Sequence, residues 1–576
     1  MVLQSLCDYY QILLERGEAA RPYWSFARVP LALEIGEDGI PLSLDNICEE
    51  VLKGKKTVLV PQTLEVPERG IRGSNFLPYF LCDKSEYLLG YSELSRCEAA
   101  EQRFQTSAAL HGRILSDVDS PAARAARLFF ETWIPEKAEK YAFFSEHQDE
   151  LFSGANIALR FRGRFLYEYP EIAAAWETYR SGILPERTGQ SLICGKTVPA
   201  ARVHPKIYKF PDASPTGTSM VSFGGPAAES YGNEQGYNAL IGEREAFAYA
   251  EALNYLIGNR KGMWNFNGFT LFCWPQSGEE VYQRLLLEEL TNGNPEPEFL
   301  ETVRAIAKGN PAGYHGDLFD PEMPIHILVC TPNAGRIAVR FFLREKLWVL
   351  MKNLEGHYRR LSAVKPSYIK EERLAVTIWF SKLADQKLKT KMLHPPFGCA
   401  LLRAVLRNEP YPALLEQWVR WKIAGEHDVD YVSAATLKAV FLKNHPEKAR
   451  EFDRLGLLCE RTGAQPYLCG RLLALHARAD PGFPLEKYLP LAAAKPKQAI
   501  TELDRTREFV LDPMHYRLRN YYKGRMKEIR ERMGHPPEQF SFYQQEIFYL
   551  GFYHQIQKQF EKKEEELEED DNSEQV

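Results

Sequence analysis

The stretch GQSLICGKT, residues 189–197, comes closer than any other in the sequence to a phosphate-binding loop. Such a loop needs four residues between its two glycines, because its backbone amides must converge on one phosphate chain. Here five residues separate Gly189 from Gly195. The spacing therefore argues against a nucleotide site.

Residues that could bind a metal or catalyse hydrolysis are scattered. The ten cysteines include no CxxC pair, and the thirteen histidines include no HExxH motif. His315 and Asp317 form an isolated His-Gly-Asp triplet, without the further ligands that a metal-dependent hydrolase needs. We therefore expect no metal, no cofactor and no catalytic residues, which means that the chain is not an enzyme.

A glycine-rich polar turn, GIRGSNF at 70–76, has residues suited to contact with nucleic acid. Arg72 can reach a phosphate or a base edge, and the amide of Asn75 can both donate and accept at a groove edge. Gly73 and Ser74 are small enough to let the backbone approach a partner closely. The alternative is an ordinary turn in which Asn75 only hydrogen-bonds to its own backbone.

A second loop of the same kind lies within SFGGPAAESYGNEQGYNALIG, residues 222–242. It belongs to a stretch from about 188 to 240 that is rich in Gly, Ser, Pro and Asn. Ser222, Gln235 and Asn238 offer neutral polar groups on a flexible backbone, and they are weaker candidates for wedging into DNA or contacting one strand.

The formal net charge of −5 hides a strong asymmetry along the chain. Residues 1–342 carry a net charge of −11 and residues 536–576 a net charge of −8, whereas residues 343–535 hold 36 Lys and Arg against 22 Asp and Glu. A block with a net charge of +14 is typical of a surface that binds a polyanion by releasing counterions from phosphates. The alternative is a solvated helical surface that is merely rich in lysine.

Basic residues crowd the segment 517–532 in particular. At 3.6 residues per turn, one side of a helix there would carry Arg519, Lys523, Lys527 and Arg530. These four are candidates for contacts to a nucleic-acid backbone. The alternative is an exposed helix whose cations pair with Glu528 and Glu531.

The elements that must position these residues change character near residue 343. Before it, extended runs at 28–35 and 57–61 and a continuous apolar run at 269–274 predict strands among helices, and Ser120-Pro121 marks a helix start. After it, apolar residues recur almost only at helical spacing. The sequence therefore predicts an α+β protein: a mixed α/β N-terminal domain followed by an all-helical C-terminal half.

We expect four segments: a mixed α/β domain at 1–342, a helical domain at 343–460, a helical bundle at 461–560 and an acidic tail at 561–576. The tail carries nine acidic residues and two lysines, which predicts disorder. No run of apolar residues is long enough to span a membrane, and the start of the chain is not that of a signal peptide. We expect a cytoplasmic protein with no membrane partner.

Several blocks of the sequence carry a family resemblance. They are LQSLCDYYQILLERGE at the start, the 70–76 turn, MVSFGGPAAESYGNEQGYNA, EAFAYAEALNYL, TPNAGRIAVRFF and FYLGFYHQ. Together and in this order, they resemble the large subunit of the type I-C CRISPR Cascade effector, a Csd-type Cas protein.

The resemblance implies a subunit of an RNA-guided surveillance complex that recognises the protospacer-adjacent motif in double-stranded DNA. Such a subunit helps to unwind the duplex, stabilises the R-loop and supports recruitment of a separate helicase-nuclease in antiviral defence, while guide pairing reads the remaining sequence. The implied partners are CRISPR RNA, target DNA with its displaced strand, and the backbone, handle-binding and small subunits. A stand-alone nucleic-acid-processing enzyme and a purely architectural scaffold are the alternatives.

The resemblance also assigns the motif-reading turn. It implies Asn75 at a minor-groove base edge and Arg72 at the groove or a phosphate, although Gly73-Ser74 is one residue longer than the spacing common in the family. The C-terminal helices resemble the small subunit, which in this family can also be made separately. No methionine lies between Met392 and Met514, so a short separate product would need a non-AUG start.

Overall fold

The computed structural model describes residues 2–53, 56–69, 77–93, 97–182, 186–266, 268–384, 393–449, 463–511 and 516–573. Contacts within the chain group these residues into two units. The first comprises Leu3–Lys206 with Val221–Tyr255, and the second comprises Ile207–Met220 with Leu256–Val576. The predicted division into 1–342, 343–460, 461–560 and 561–576 stays a prediction.

The first unit mixes strands and helices. Its elements are α1 Val2–Glu15, β1 Trp24–Val29, β2 Leu31–Ile35, β3 Pro41–Asn46, β4 Glu49–Lys53, β5 Lys56–Val60, β6 Gln62–Pro67, β7 Cys82–Lys84, α2 Ser85–Leu88, α3 Cys97–Leu115, α4 Pro121–Thr132, α5 Ala142–Glu146, α6 Gln148–Phe152, β8 Asn156–Phe161, β9 Arg164–Phe165, α7 Pro170–Ser181, β10 Thr188–Gln190, β11 Thr197–Pro199 and α8 Glu243–Asn259, whose last turn belongs to the second unit.

The central sheet of the first unit has the strand order β3-β2-β8-β7, with β9 paired to β8. β2 and β8 run parallel, and the other neighbours are antiparallel. β2 is buried along most of its length because it lies between two strands in the middle of this sheet. α4 begins as predicted, since the Ser120 hydroxyl accepts a hydrogen bond from the Ala123 N–H at 3.2 Å.

The second unit begins with strands and continues as helices. Its elements are β12 Met263–Phe266, β13 Phe269–Pro275, α9 Glu280–Thr291, α10 Pro297–Ala307, β14 Ala312–Tyr314, β15 Asp317–Phe319, β16 Pro324–Asn333, β17 Arg336–Lys346, α11 Leu347–Leu361, α12 Val376–Leu383, α13 Pro395–Leu406, α14 Ala413–Glu426, α15 Tyr431–Asn444, α16 Pro446–Ala449, α17 Gln465–Ala479, α18 Leu485–Ala494, α19 Pro496–Leu511, α20 Tyr516–Met533 and α21 Phe542–Ser573.

The sheet of the second unit is antiparallel with the order β12-β13-β16-β17. Every residue of β13 is buried, as expected for a continuous apolar run. Strands β16 and β17 form a hairpin with Asn333 opposite Arg336, and its turn contains Gly335. From Leu347 onwards the described residues contain no strand. These features confirm the predicted α+β class.

Within the described residues, no helix combines the length and the apolar character needed to cross a bilayer. The same residues contain no group of three or more His, Cys, Asp or Glu side chains that could hold a metal ion.

Candidate nucleic-acid interface

The predicted motif-reading residues Arg72, Gly73, Ser74 and Asn75 lie outside the described residues, so the structure places only the chain before and after them. We call these flanking residues, 62–69 and 77–80, the stem. The incoming side of the stem is strand β6, which pairs with β1 up to Trp24 opposite Pro67.

Helix α7 holds both sides of the stem. On the incoming side, Arg180 of α7 forms an ion pair of 2.6 Å with Glu68, whose N–H donates to a backbone carbonyl of the first unit. On the outgoing side, the ring of Phe80 stacks on Trp176 of α7 with centroids 5.4 Å apart and planes 9° apart. Trp176 and Arg180 are four residues apart, so they occupy one face of the helix.

The two sides of the stem also contact each other. The guanidinium of Arg69 lies over the ring of Tyr79 at 5.8 Å, a cation–π distance. The N–H of Tyr79 donates to the buried carboxylate of Asp83 at 2.8 Å. Arg69 and Tyr79, on either side of the segment that contains Arg72 and Asn75, are therefore held close together.

A cleft of about 420 Å³ opens beside the incoming side of the stem. Its lining includes Glu68, two residues before the predicted turn, and three arginines: Arg180, Arg202 and Arg244. Arg180 pairs with Glu68, and Arg202 pairs with Glu186 at 3.2 Å and with Glu234 at 3.5 Å. Two of the three cations are therefore already neutralised by carboxylates.

Arg244 differs from the other two arginines of the cleft. It lies exposed in the first turn of α8, and no carboxylate of the described residues pairs with it. The N-terminus of a helix adds a partial positive charge at this place. Sequence reasoning missed Arg244, because the motif EREAF around it reads only as the start of an amphipathic helix. The cleft thus presents one cation that is available to an external anion.

In the 222–242 loop, the predicted contact residues Gln235 and Asn238 make hydrogen bonds within the protein. The Asn238 side chain donates to the carbonyls of Asn233 at 2.8 Å and Gln235 at 2.9 Å, and its oxygen accepts from the Ser230 N–H at 2.8 Å. The Gln235 side chain accepts from Arg202 at 3.2 Å. Asn238 and Gln235 therefore use their amides to hold the loop together.

What this loop presents to solvent is an aromatic ring. Tyr231 is fully exposed, at 102% of the reference area, and its φ of +53° is a left-handed conformation that a bulky residue seldom adopts. Gly232 beside it has a φ of +71°. Ser222 lies half-buried at the start of the segment. Sequence reasoning missed Tyr231, and its signal is the Ser-Tyr-Gly triplet in a polar loop.

The basic segment 517–532 lies on an unbroken helix, α20, whose buried residues are Met526, Ile529 and Met533. Its continuity places Arg519, Lys523, Lys527 and Arg530 on one side, as the spacing predicted. Arg530 also links α20 to α19 through an ion pair of 3.1 Å with Asp504.

The remaining three candidates of α20 differ in their surroundings. Lys527 is exposed and lies 3.8 Å from Glu531, which is a weak surface pair. Arg519 and Lys523 both take part in interactions within the chain. Helix α20 therefore has a basic side, and some of the cations on that side also form ion pairs within the protein.

The glycine pair of 189–197 does not form a phosphate-binding loop. Strands β10 and β11 make it a hairpin, and its turn lies against the carboxylate of Glu245 in α8. Glu245 accepts hydrogen bonds from the Ser191 hydroxyl and, at 2.9 Å, from the Gly242 N–H. Burial opposes ionisation of Glu245, but hydrogen bonds from Cys194, Ser191 and Gly242 outweigh it and lower its pKa. A side-chain anion occupies this turn.

These features define an α+β protein with a candidate nucleic-acid interface. The family model of the CRISPR-associated protein (Cas_Csd1) matches residues 6–560. The chain belongs to this family, which is that of the type I-C large subunit, and it is a component of a CRISPR Cascade assembly. No curated protein matches the chain.

Proposed function

We propose that this chain recognises the protospacer-adjacent motif of double-stranded target DNA within its Cascade assembly. Asn75 contacts a minor-groove base edge, and Arg72 contacts the groove or a phosphate. The observation that carries this proposal is the stem, whose two sides are both fixed by α7. A recognition loop needs such support, because a contact group that is held in place loses less freedom on binding.

The cleft beside the stem supports the proposal through charge. Contacts to phosphates set the position of a protein on a duplex, and contacts to base edges specify the sequence. Arg244 supplies the phosphate contact, since Arg180 and Arg202 already pair with carboxylates. Arg244 thus positions the duplex so that Arg72 and Asn75 can reach its groove.

Opening of the duplex is assigned to the 222–242 loop and to α20. Tyr231 stacks on a base of the opened DNA, because an aromatic ring with both faces exposed suits any nucleobase. Gln235 and Asn238 shape the loop that carries it. The basic side of α20 contacts the displaced strand or the guide–target duplex and stabilises the R-loop.

The remaining parts of the proposal follow from family membership. The chain binds CRISPR RNA and the backbone, handle-binding and small subunits, and it supports recruitment of a helicase-nuclease without cleaving nucleic acid itself. It acts in the cytoplasm. Incubation of the purified chain with DNA, RNA and divalent cations should give no cleavage, and turnover there would show that it is an enzyme.

The central experiment compares variants of the assembled complex on target duplexes that differ only in the adjacent motif. Asn75→Ala should weaken binding of the preferred motif by roughly 1 to 3 kcal/mol and flatten discrimination among motifs. Arg244→Ala should weaken binding of all motifs alike and reduce the salt slope by about one phosphate contact. The two variants therefore separate specificity from positioning.

Matched controls come from the second unit. Arg304→Ala removes an exposed arginine that pairs with no carboxylate of the described residues, and Asn310→Ala removes an exposed loop asparagine. Both should leave affinity and discrimination unchanged. If the Asn75 variant keeps the wild-type preference among motifs, the 70–76 turn is not the reader. In the same assay, Tyr231→Ala should reduce duplex opening while Tyr231→Phe retains it.

A further inference from the structure

Four cationic side chains meet at the turn that follows α13 in the second unit. They come from α11, from the end of α13 and from α15, and we call them the α13 cluster: Arg360, Arg403, Arg407 and Lys443. All four bond to two consecutive residues of this turn, Asn408 and Glu409. The cations are therefore gathered around one short piece of backbone.

Arg360 and Lys443 bond to the same neutral oxygen. The side-chain oxygen of Asn408 accepts a hydrogen bond from Lys443 at 2.8 Å and from the Arg360 guanidinium at 3.3 Å. Neither cation forms an ion pair with a carboxylate of the described residues. Burial lowers the pKa of Lys443, and the nearby charge of Arg360 lowers it further. Two like charges are thus held side by side by an oxygen that carries no charge.

Arg403 and Arg407 share a single carboxylate. The Nε atoms of both side chains lie 3.2 Å from Glu409, one at each of its oxygens. The two arginine side chains remain 50% and 54% exposed. The one negative charge of Glu409 therefore balances only one of these two cations.

The end of α13 accounts for part of this positive charge. Basic groups near the C-terminus of a helix stabilise its free carbonyls, but the partial charge there is only about −0.5. Together with Glu409, it offsets about 1.5 of the four positive charges. Helix capping therefore leaves an excess of about 2.5 positive charges in the cluster.

This excess suits phosphate groups. A guanidinium can donate two parallel hydrogen bonds to phosphate oxygens, and a lysine adds a compact charge beside it. Asn408 holds Arg360 and Lys443 in place, and the Arg360 guanidinium lies 5.9 Å from the centre of the Tyr411 ring. Cations that are already positioned lose less freedom on binding.

A nucleic-acid strand matches several adjacent cations better than an acidic protein surface does. Its phosphates follow one another at short, regular intervals along one backbone, so neighbouring cations can be neutralised together. An acidic protein surface carries its charges on separate side chains, each of which loses rotational freedom when it is fixed.

We propose that the α13 cluster binds the phosphodiester backbone of a nucleic-acid strand, either DNA or RNA. None of its residues belongs to the predicted 70–76 turn, to the cleft that contains Arg244 or to α20. The cluster is therefore a further contact, and it does not depend on the proposed recognition of the adjacent motif.

The test measures binding of the isolated full chain to three labelled probes of the same arbitrary sequence: single-stranded DNA, duplex DNA and single-stranded RNA. Arg407→Gln with Lys443→Gln removes two charges of the cluster and keeps polar side chains in their place. The slope of log affinity against log salt should become shallower by roughly 1.4 to 1.8 on the probe that the cluster binds. The probe that shows this change distinguishes DNA from RNA.

The matched control is Arg304→Gln with Lys308→Gln, which removes one arginine and one lysine from an exposed place at the end of α10. It should leave all three slopes unchanged. Thermal unfolding of both double variants checks the fold. If the cluster only caps α13, its variant loses stability and keeps the wild-type slope on every probe, and the proposal is wrong. If that variant does not fold, Arg403→Gln with Arg407→Gln, both exposed, gives the same test.

A photo-crosslinking amino acid in place of Arg407 identifies the occupant in the assembled complex with guide RNA and target DNA. A crosslink to either nucleic acid supports the proposal. A crosslink to a protein subunit alone overturns it, because the cluster would then face an acidic protein surface.

Discussion

The side chain of Glu546 provides the sharpest test of the helical packing in the second unit. Glu546 lies on α21 and is fully buried, and neither of its carboxylate oxygens has a hydrogen-bond partner among the described residues. Burial, followed by repulsion from Glu416, raises its pKa to about 9, while Arg420 opposes this change. Glu546 is therefore protonated in the folded protein at neutral pH.

The magnitude follows from the difference between the folded and unfolded pKa values. The ordinary pKa is 4.5, so the folded state binds one more proton than the unfolded state between pH 4.5 and about 9. Stability is highest below pH 4.5 on this account and falls by about 1.4 kcal/mol per pH unit up to the folded pKa. Between pH 6 and pH 8 the wild type should lose roughly 2 to 3 kcal/mol through this one group.

Glu546→Gln removes the titration and keeps the shape. Hydrogen exchange of α21 peptides at pH 6 and pH 8 gives the free energy of opening for both proteins. At each pH the variant is compared with the wild type, which cancels the intrinsic pH dependence of exchange. The ratio of their opening constants should change about 100-fold between the two pH values, equivalent to about 2.7 kcal/mol.

The control is Glu531→Gln, which changes an exposed glutamate on α20 and should leave the opening of α21 unchanged. Any constant cost of burying an amide at position 546 shifts the ratio equally at both pH values and so does not affect the comparison. A pH-independent ratio for Glu546→Gln would mean that the carboxylate is charged and has a partner, and the reasoning would be wrong.

Two further predictions concern the same helices. Gly551→Ala should destabilise the second unit by about 3 kcal/mol or more, because the new Cβ would lie 2.1 Å from a backbone oxygen of α17. The Cβ of Gly524→Ala would meet nothing within 4 Å, so this change should stabilise α20 by roughly 0.5 to 1 kcal/mol. Urea unfolding measures both effects. Lys523→Glu combined with Lys527→Glu should weaken binding of the complex to all target sequences and reduce the salt dependence of that binding. An unchanged salt dependence would mean that this side of α20 is an ordinary solvated surface.

Local rules predicted much of the fold because they depend on neighbours in the sequence. Ser120 caps α4, and the apolar run of β13 is buried, since capping and periodicity act within a few residues. Helix α19 lies within the predicted helical bundle, although its residues 496–511 are mostly polar. α19 packs against α18, which directly precedes it, and against α17, so neighbouring helices support it.

The candidate interface was less predictable for a related reason. The sequence shows that Asn238 is a polar loop residue, but not that its amide already makes three hydrogen bonds within the loop. The sequence likewise shows that Arg530 is a cation, but it does not show that Arg530 pairs with Asp504, 26 residues earlier. Which polar groups remain for a partner depends on contacts that close only in three dimensions, and this is why Tyr231 and Arg244 were missed.

The interior of the C-terminal helices explains how α20 can serve as a platform. α17 and α21 cross so closely that a Cβ at Gly470 would lie 2.0 Å from the carbonyl oxygen of Phe548. Two buried hydrogen bonds fix this crossing, from Arg471 to Gln555 at 2.9 Å and between Tyr467 and His554 at 2.9 Å.

Burial also lowers the pKa of His554 to about 4, so the ring stays neutral and adds no charge to the interior of the bundle at neutral pH. Met526, Ile529 and Met533 then pack α20 into the core that contains this crossing. A basic side on a rigid helix loses little backbone freedom when it meets a polyanion, so more of its electrostatic energy is retained as affinity. The stem offers comparable support to the proposed reading residues of the first unit, because α7 holds the chain on both sides of them.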